Sequence, residues 1–203
     1  MSTYFDIFSL PPHLTLDTRA LERSFYALSR KLHPDRFAAK PAAEQEAALA
    51  ASSELNDAYR TLKDPILRTQ YLLTLEGVEL EEQSKAATEA ARATGTQKKQ
   101  IVPPELLEEV FELNMQLAEM RAAKQMGEDE PKLRRDLFTA KDAFDAKMVE
   151  TQAELESLWS AWDAAVDADE SAAQTKARDA MVTLLNKRSY LRNLVRDVNE
   201  ALE

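Results

Sequence analysis

The side chains best suited to chemistry in this sequence are His33 and Asp35, which flank Pro34. A histidine beside a carboxylate could act in general acid-base catalysis. Nucleophilic catalysis would also need a serine or cysteine held next to an oriented base, and the sequence has no cysteine, nucleophile elbow or glycine-rich loop. With His13 as the only other histidine, metal ligands are also scarce. We therefore predict no catalytic residue, no metal site and no cofactor, and keep a hydrolase as the weaker alternative.

A structural explanation of the same tripeptide stays open. A histidine near the negative end of a helix dipole, a proline that stops the helix and an aspartate in the following turn together form an ordinary helix end. Three residues also recur by chance in many proteins, so His33-Pro34-Asp35 indicates a function only if its surroundings do.

The helix before the tripeptide supplies such surroundings. Asp17 is a good N-cap, and an apolar stripe follows at helical spacing, through Leu21 and Leu28 to Leu32. The helix should stop at His33, because a proline disfavours helical geometry in the residue before it. The opposite face is cationic although the protein is acidic, which favours electrostatically steered docking on an acidic partner. The residues of this face are Arg19, Arg23, Tyr26 and Arg30, flanked by Lys31.

Composition favours an all-α fold and protein partners. Glycine is scarce and no apolar run approaches the length of a membrane span. The net charge of −10 is unevenly placed: residues 1–76 carry nine Lys/Arg and ten Asp/Glu, and the remainder carries seventeen and twenty-six. The acidic remainder argues against a nucleic-acid partner. The lack of cysteine and of a secretory signal suits the cytoplasm.

Helical periodicity and breaks predict the domain organisation. Residues 1–77 form a compact helical domain, and 78–103, rich in Ala, Thr and Gln, form a linker. In 104–203, long amphipathic helices alternate with short connections at Gly127 and at the sequence DADES, which predicts an antiparallel three-helix bundle.

The first helix of this bundle has two apolar stripes. Leu106, Val110, Leu113, Leu117 and Met120 form the natural core face. The second stripe comprises Leu107, Phe111 and Met115, with Glu108, Glu112 and Glu119 just beyond it. Because each helix of a three-helix bundle meets two neighbours, the second stripe could be core. The adjoining carboxylates favour instead an exposed apolar patch with an acidic rim, which is typical of a protein-binding site.

The segments YFDIFSLPP, HPDRF and NDAYRTLKDP, with the basic helix between them, resemble a J domain. The segment RTQYLL and the helical region beyond it resemble the HscB (Jac) family of J-domain co-chaperones, so that the resemblance spans essentially the whole chain. It implies a co-chaperone that delivers the iron–sulfur scaffold IscU to the DnaK-type chaperone HscA and stimulates its ATPase. Cluster transfer and the maturation of iron–sulfur proteins would be promoted, and this chain would not hydrolyse ATP itself.

The resemblance also assigns residues to each partner. HscA would be contacted by His33, Pro34, Asp35, Arg19, Arg23, Arg30 and Lys31. IscU would be contacted by Leu107, Glu108, Phe111, Glu112, Met115, Glu119 and, on the last helix, Tyr190. Two of these depart from the bacterial pattern: Glu108 replaces a common apolar residue and Met115 a common acid. Two further functions stay open, namely a J-protein that holds general unfolded clients for DnaK and a helical adaptor with an inert loop.

Overall fold

The computed structural model describes residues 2–78, 102–128 and 130–203, which are helical apart from short connections. The all-α prediction is therefore confirmed, whereas most of the predicted linker lies outside the described residues. None of the described helices is long and apolar enough to cross a membrane. The α-helices are α1 (Tyr4–Ile7), α2 (Thr18–Leu32), α3 (Ala42–Lys63), α4 (Pro65–Leu75), α5 (Leu107–Met126), α6 (Pro131–Asp167) and α7 (Ser171–Leu202).

Helix α2 begins and ends where its sequence predicts. The Asp17 carboxylate accepts hydrogen bonds from the backbone N–H groups of Arg19 and Ala20, at 2.9 and 3.0 Å. These bonds, the one from Ala20 above all, lower the pKa of Asp17, because they stabilise the charged carboxylate. At the other end, His33 has φ −59° and ψ 127°, an extended conformation that ends the helix before Pro34.

The N-terminal helices enclose an apolar core around a buried arginine. Phe5, Leu55 and Leu72 are almost fully buried. The guanidinium of Arg68, only 4% exposed, donates to the carbonyl of Leu14 at 2.7 and 3.0 Å and to that of Leu62. Burial lowers the pKa of this guanidinium, but arginine stays charged at any physiological pH. Arg68 therefore satisfies carbonyl groups that would otherwise be buried without a donor.

The chain divides into two compact units, and this division differs from the predicted domain boundaries. The first unit contains α1–α4 and also Leu158–Asp179, which is the end of α6 and the start of α7. The second contains α5 with the rest of α6 and α7. The end of α6 and the start of α7, which the sequence analysis assigned to the bundle, thus belong to the first unit.

The loop before α2 binds the end of α6 through polar contacts within the first unit. The Asp163 carboxylate accepts the backbone N–H groups of Leu14 and Thr15 at 2.6 and 2.8 Å. The indole N–H of the buried Trp162 donates to the Pro12 carbonyl at 3.0 Å. Because these contacts satisfy backbone groups of an irregular loop, they should contribute strongly to its stability.

We expect Asp163→Ala to lower the free energy of unfolding of the first unit by about 2 kcal/mol, because it leaves a part-buried N–H group without an acceptor. Asp167→Ala is the matched control on the same helix. Asp167 contacts His13 at 3.0 Å, but its side chain is 69% exposed, so its loss should cost no more than about 0.5 kcal/mol. Urea denaturation followed by tryptophan fluorescence measures both variants. Equal losses would show that Asp163 does not hold the loop.

The second unit is an antiparallel bundle of three helices. Glu109 of α5 pairs with Lys147 of α6 at 3.1 Å, and Arg134, near the start of α6, donates to the Leu202 carbonyl at the end of α7. The core stripe predicted for α5 is buried, each residue being at most 6% exposed. Helix α5 ends at Gly127, whose φ of 73° lies in the left-handed region that glycine adopts most easily. The predicted bundle topology is confirmed for the described residues.

Candidate functional site

The His33-Pro34-Asp35 loop is an exposed, tightly folded bend. Pro34 starts a 3₁₀ turn, Pro34–Phe37, directly after the break at the end of α2. The backbone N–H of Asp35 donates to His33 Nδ1 at 3.3 Å, which makes His33 the cap of this turn. The side chains of His33 and Asp35 are 55% and 89% exposed. The bend therefore presents an imidazole and a carboxylate to solvent on a backbone that is already ordered.

Two side chains tie the ends of this bend to the neighbouring helices. Arg36 donates to the carbonyl of Arg30, in the last turn of α2, at 3.2 Å. Gln45, in the first turns of α3, donates to the carbonyls of Lys40 and Ala38 at 2.8 and 3.3 Å. Sequence reasoning did not identify either residue as part of the site. A polar residue in the first turns of a helix can bond to the preceding loop, which was the only hint for Gln45. The sequence does not show that its side chain bonds to a carbonyl seven residues earlier.

The cationic face of α2 is exposed along its length. Its basic side chains form no ion pair with another described residue, which leaves their charge available to a partner. The acid nearest in sequence, Glu22, is turned toward α3, where it accepts from the Tyr59 hydroxyl at 3.2 Å and lies 3.9 Å from Lys63. The His-Pro-Asp bend follows directly on α2, so the cationic face and the bend lie on consecutive parts of the chain. The exposed basic residues are Arg19, Arg23, Arg30 and Lys31.

The second apolar stripe of α5 faces solvent. Leu107, Phe111 and Met115 are 56%, 68% and 61% exposed. The sequence allowed these residues to be core or surface, and the structure places them on the surface. They follow one another at one-turn spacing, so they form a continuous apolar patch that no described part of the bundle covers. We call Leu107, Phe111 and Met115 the apolar face.

The predicted acidic rim lies on the surface of α5, as the apolar face does, whereas Tyr190 on α7 is partly buried. Glu108, Glu112 and Glu119 are exposed on the same helix. Tyr190 of α7 is half-buried against the bundle core, and burial, followed by Asp197, raises the pKa of its hydroxyl. The core residue Leu194 lies one turn further along α7 and brings Tyr190 to the core edge.

The His33 and Asp35 side chains of the bend lie open to solvent. His33 Nδ1 and Asp35 Oδ2 lie 3.4 Å apart, but both side chains project into water rather than into a cleft. In the described ranges, no three His, Asp or Glu side chains gather in a way that could hold a metal ion. An exposed bend beside an exposed cationic face is suited to protein recognition.

Residues 3–71 match the family model of the DnaJ domain. This segment contains the His-Pro-Asp bend and the helices on both sides of it, so residues 3–71 form a DnaJ domain.

Solved structures extend the comparison to nearly the whole chain. Human co-chaperone protein HscB matches with a TM-score of 0.60 and 22% sequence identity, over 98% of this chain and 82% of that one. Chaperone HscB from Vibrio cholerae matches with a TM-score of 0.52 and 24% identity, over 95% of this chain and 97% of that one. The protein thus has the fold of the HscB co-chaperones: a DnaJ domain followed by a helical C-terminal part.

Proposed function

We propose that this chain is a co-chaperone that delivers the scaffold protein IscU to the DnaK-type chaperone HscA in the cytoplasm and stimulates its ATPase. The DnaJ domain implies an Hsp70-type partner, and the HscB fold favours HscA as that partner and IscU as the cargo. The observation that carries the proposal is the presence, in one chain, of an exposed His-Pro-Asp bend and a separate exposed apolar face.

The bend is suited to changing the ATP cycle of a partner. A ligand shifts a conformational equilibrium only if it binds the two states unequally. His33 and Asp35 offer a donor and a charged acceptor, and the 3₁₀ turn fixes the geometry in which they are offered. Because the turn is already ordered, little conformational entropy is lost on docking. The neighbouring cations of α2 would speed the encounter with an acidic surface of the chaperone.

The apolar face is suited to holding a folded scaffold protein. A rigid helix that exposes a leucine, a phenylalanine and a methionine at one-turn spacing offers a continuous apolar surface. Phenylalanine and methionine are enriched at the cores of protein interfaces. Exposed carboxylates around this surface add orientation and select for a partner with basic groups. The contacts assigned to IscU remain Leu107, Glu108, Phe111, Glu112, Met115, Glu119 and Tyr190.

Comparing ATPase stimulation with two different cargo proteins distinguishes this function from that of a J-protein that binds unfolded clients in general. The steady-state ATPase of HscA is measured with the full chain and either IscU or an arbitrary unfolded peptide. We expect strong stimulation with IscU and only weak stimulation with the peptide. Equal stimulation by both cargoes would favour the general holder, and no stimulation by either would favour an adaptor with an inert loop.

A further inference from the structure

The side-chain amide of Gln45 joins the segment after the His-Pro-Asp bend to helix α3. Its Nε2 atom donates to the carbonyl of Lys40 at 2.8 Å and to that of Ala38 at 3.3 Å. An amide nitrogen carries two hydrogens, so one side chain can serve both acceptors. Residues 38–40 belong to no helix, and these two bonds therefore fix a stretch of backbone that lies outside any helical hydrogen-bond pattern.

The same segment is hydrogen-bonded back to the bend. The backbone N–H of Ala38 donates to the carbonyl of Asp35 at 3.4 Å. The backbone N–H of Lys40 donates to the carbonyl of Phe37, the last residue of the 3₁₀ turn, at 2.8 Å. Ala38 and Lys40 are thus each bonded to the bend through the N–H group and to Gln45 through the carbonyl. Two short routes of hydrogen bonds consequently run from Gln45 to the turn that contains Asp35.

Helix α3 gives Gln45 a fixed base. The backbone N–H of Gln45 donates to the carbonyl of Pro41 at 3.1 Å, which places Gln45 at the start of the helix. Further along α3, Ala48 and Leu55 are 5% and 1% exposed and belong to the apolar core of the first unit. Gln45 itself is exposed, so it can be replaced without creating a cavity. Through Gln45, the bend is therefore joined to a helix that is packed in the core.

We propose that Gln45 is a positioning residue for the stimulation of the chaperone: its amide holds the His-Pro-Asp bend in the conformation that the chaperone binds. Gln45 acts through the bend rather than by contact with the chaperone. A partner that binds only the ordered bend has an apparent affinity reduced by the fraction of molecules in which the bend is ordered. Loss of the amide should therefore raise the concentration of this chain needed for half-maximal stimulation and leave the maximal stimulation unchanged. This inference rests on the proposed function, because it concerns the ATPase of the partner.

A matched pair of substitutions tests the role of the amide. Gln45→Met removes the donor and keeps the length and the neutral charge of the side chain. Asn56→Leu removes an exposed amide of the same helix that donates within α3, to the Ser52 carbonyl at 2.8 Å. In the ATPase assay with HscA and IscU, we expect Gln45→Met to raise the half-saturating concentration about fivefold at unchanged maximum, and Asn56→Leu to change it by less than about twofold. Equal effects of the two variants, or a lower maximum with Gln45→Met, would overturn the positioning role.

A donor restored at the same position separates hydrogen bonding from other effects of the substitution. Gln45→Lys carries an ammonium donor on a long side chain but adds one positive charge. Gln45→Met with Glu46→Gln makes the same change in net charge without a donor at position 45. We expect Gln45→Lys to return the half-saturating concentration to within about twofold of the parent, and the double variant to keep the about fivefold defect. Recovery in both variants, or in neither, would contradict the proposal.

Nitrogen-15 relaxation of the full chain tests the positioning without the chaperone. We expect the backbone order parameters of Asp35, Ala38 and Lys40 to fall in Gln45→Met. They should keep their parent values in Asn56→Leu and in Gln45→Lys. Unchanged order parameters in Gln45→Met would overturn the positioning role even if the ATPase responds. A parent chain that does not stimulate HscA would instead refute the proposed function, and the relaxation measurement would still decide whether Gln45 orders the bend.

Discussion

Replacing His33 by glutamine is expected to reduce the stimulated ATPase of HscA to its unstimulated rate, a loss of at least about tenfold. Glutamine keeps a polar side chain of similar reach but loses the imidazole ring and its capacity to carry charge. It also removes Nδ1, the acceptor for the Asp35 N–H that caps the 3₁₀ turn. The substitution therefore alters both the contact surface and the order of the bend. Because the His33 side chain is exposed, the rest of the fold should be unchanged.

The second histidine provides the control for this substitution. His13→Gln makes the same chemical change at the loop that contacts the end of α6. It should leave stimulation of the ATPase within about twofold of the parent, since His13 does not lie in the bend. Circular dichroism should show unchanged helix content in both variants. Full stimulation by His33→Gln would contradict the role of the bend.

The largest effect on cargo binding is expected from truncating the apolar face. Phe111→Ala with Met115→Ala should weaken IscU binding about 30-fold, from at least about 1 kcal/mol for each buried anchor. Because both side chains are more than half exposed in the free protein, the truncations create no cavity and should leave its stability nearly unchanged. Calorimetry with IscU gives the affinity, and thermal unfolding gives the stability.

The bundle itself offers a matched control for this double variant. Phe138 on α6 is also an exposed phenylalanine, at 50%, but lies outside the apolar face. Phe138→Ala should therefore change scaffold affinity by less than about twofold. Parent-like affinity of the Phe111→Ala, Met115→Ala variant would show that the scaffold binds elsewhere.

Local signals made much of the fold predictable. The Asp17 cap, the proline after His33 and the glycine at position 127 define helix ends through steric and hydrogen-bonding rules that act within a few residues. The apolar spacing of α5 also predicted its buried stripe. These features depend on sequence-local geometry, so they can be read without knowledge of distant contacts.

Long-range packing could not be read in the same way. The grouping of Leu158–Asp179 with the N-terminal helices depends on contacts such as that of Asp163 with Leu14, which are about 150 residues apart in sequence. Likewise, Leu185 of α7 is buried as well as Leu191 and Val198, although these three residues do not fall on a single helical stripe. A long helix changes its inward face along its length according to its neighbours, and a single stripe does not record that change.

The candidate site likewise has features that local sequence predicts and features that depend on long-range packing. The cationic face and the His-Pro-Asp tripeptide follow from residue types on one helix and its end. The support of the bend by Gln45 depends on groups brought together by folding. The spacing of the apolar face suited core and surface equally well. Its neighbouring carboxylates favoured the surface, which is where the structure places it.

The central claim is that one molecule both carries the scaffold and drives the ATP cycle. Its most direct test measures single-turnover ATP hydrolysis by HscA with IscU and an equimolar mixture of two chains, one His33→Gln and the other Phe111→Ala with Met115→Ala. Each variant of the mixture retains the site that the other has lost. We predict that the mixture stimulates hydrolysis far less than the same total concentration of the parent chain. Stimulation equal to that of the parent would show that the two sites act independently and would contradict delivery of the scaffold by a single molecule.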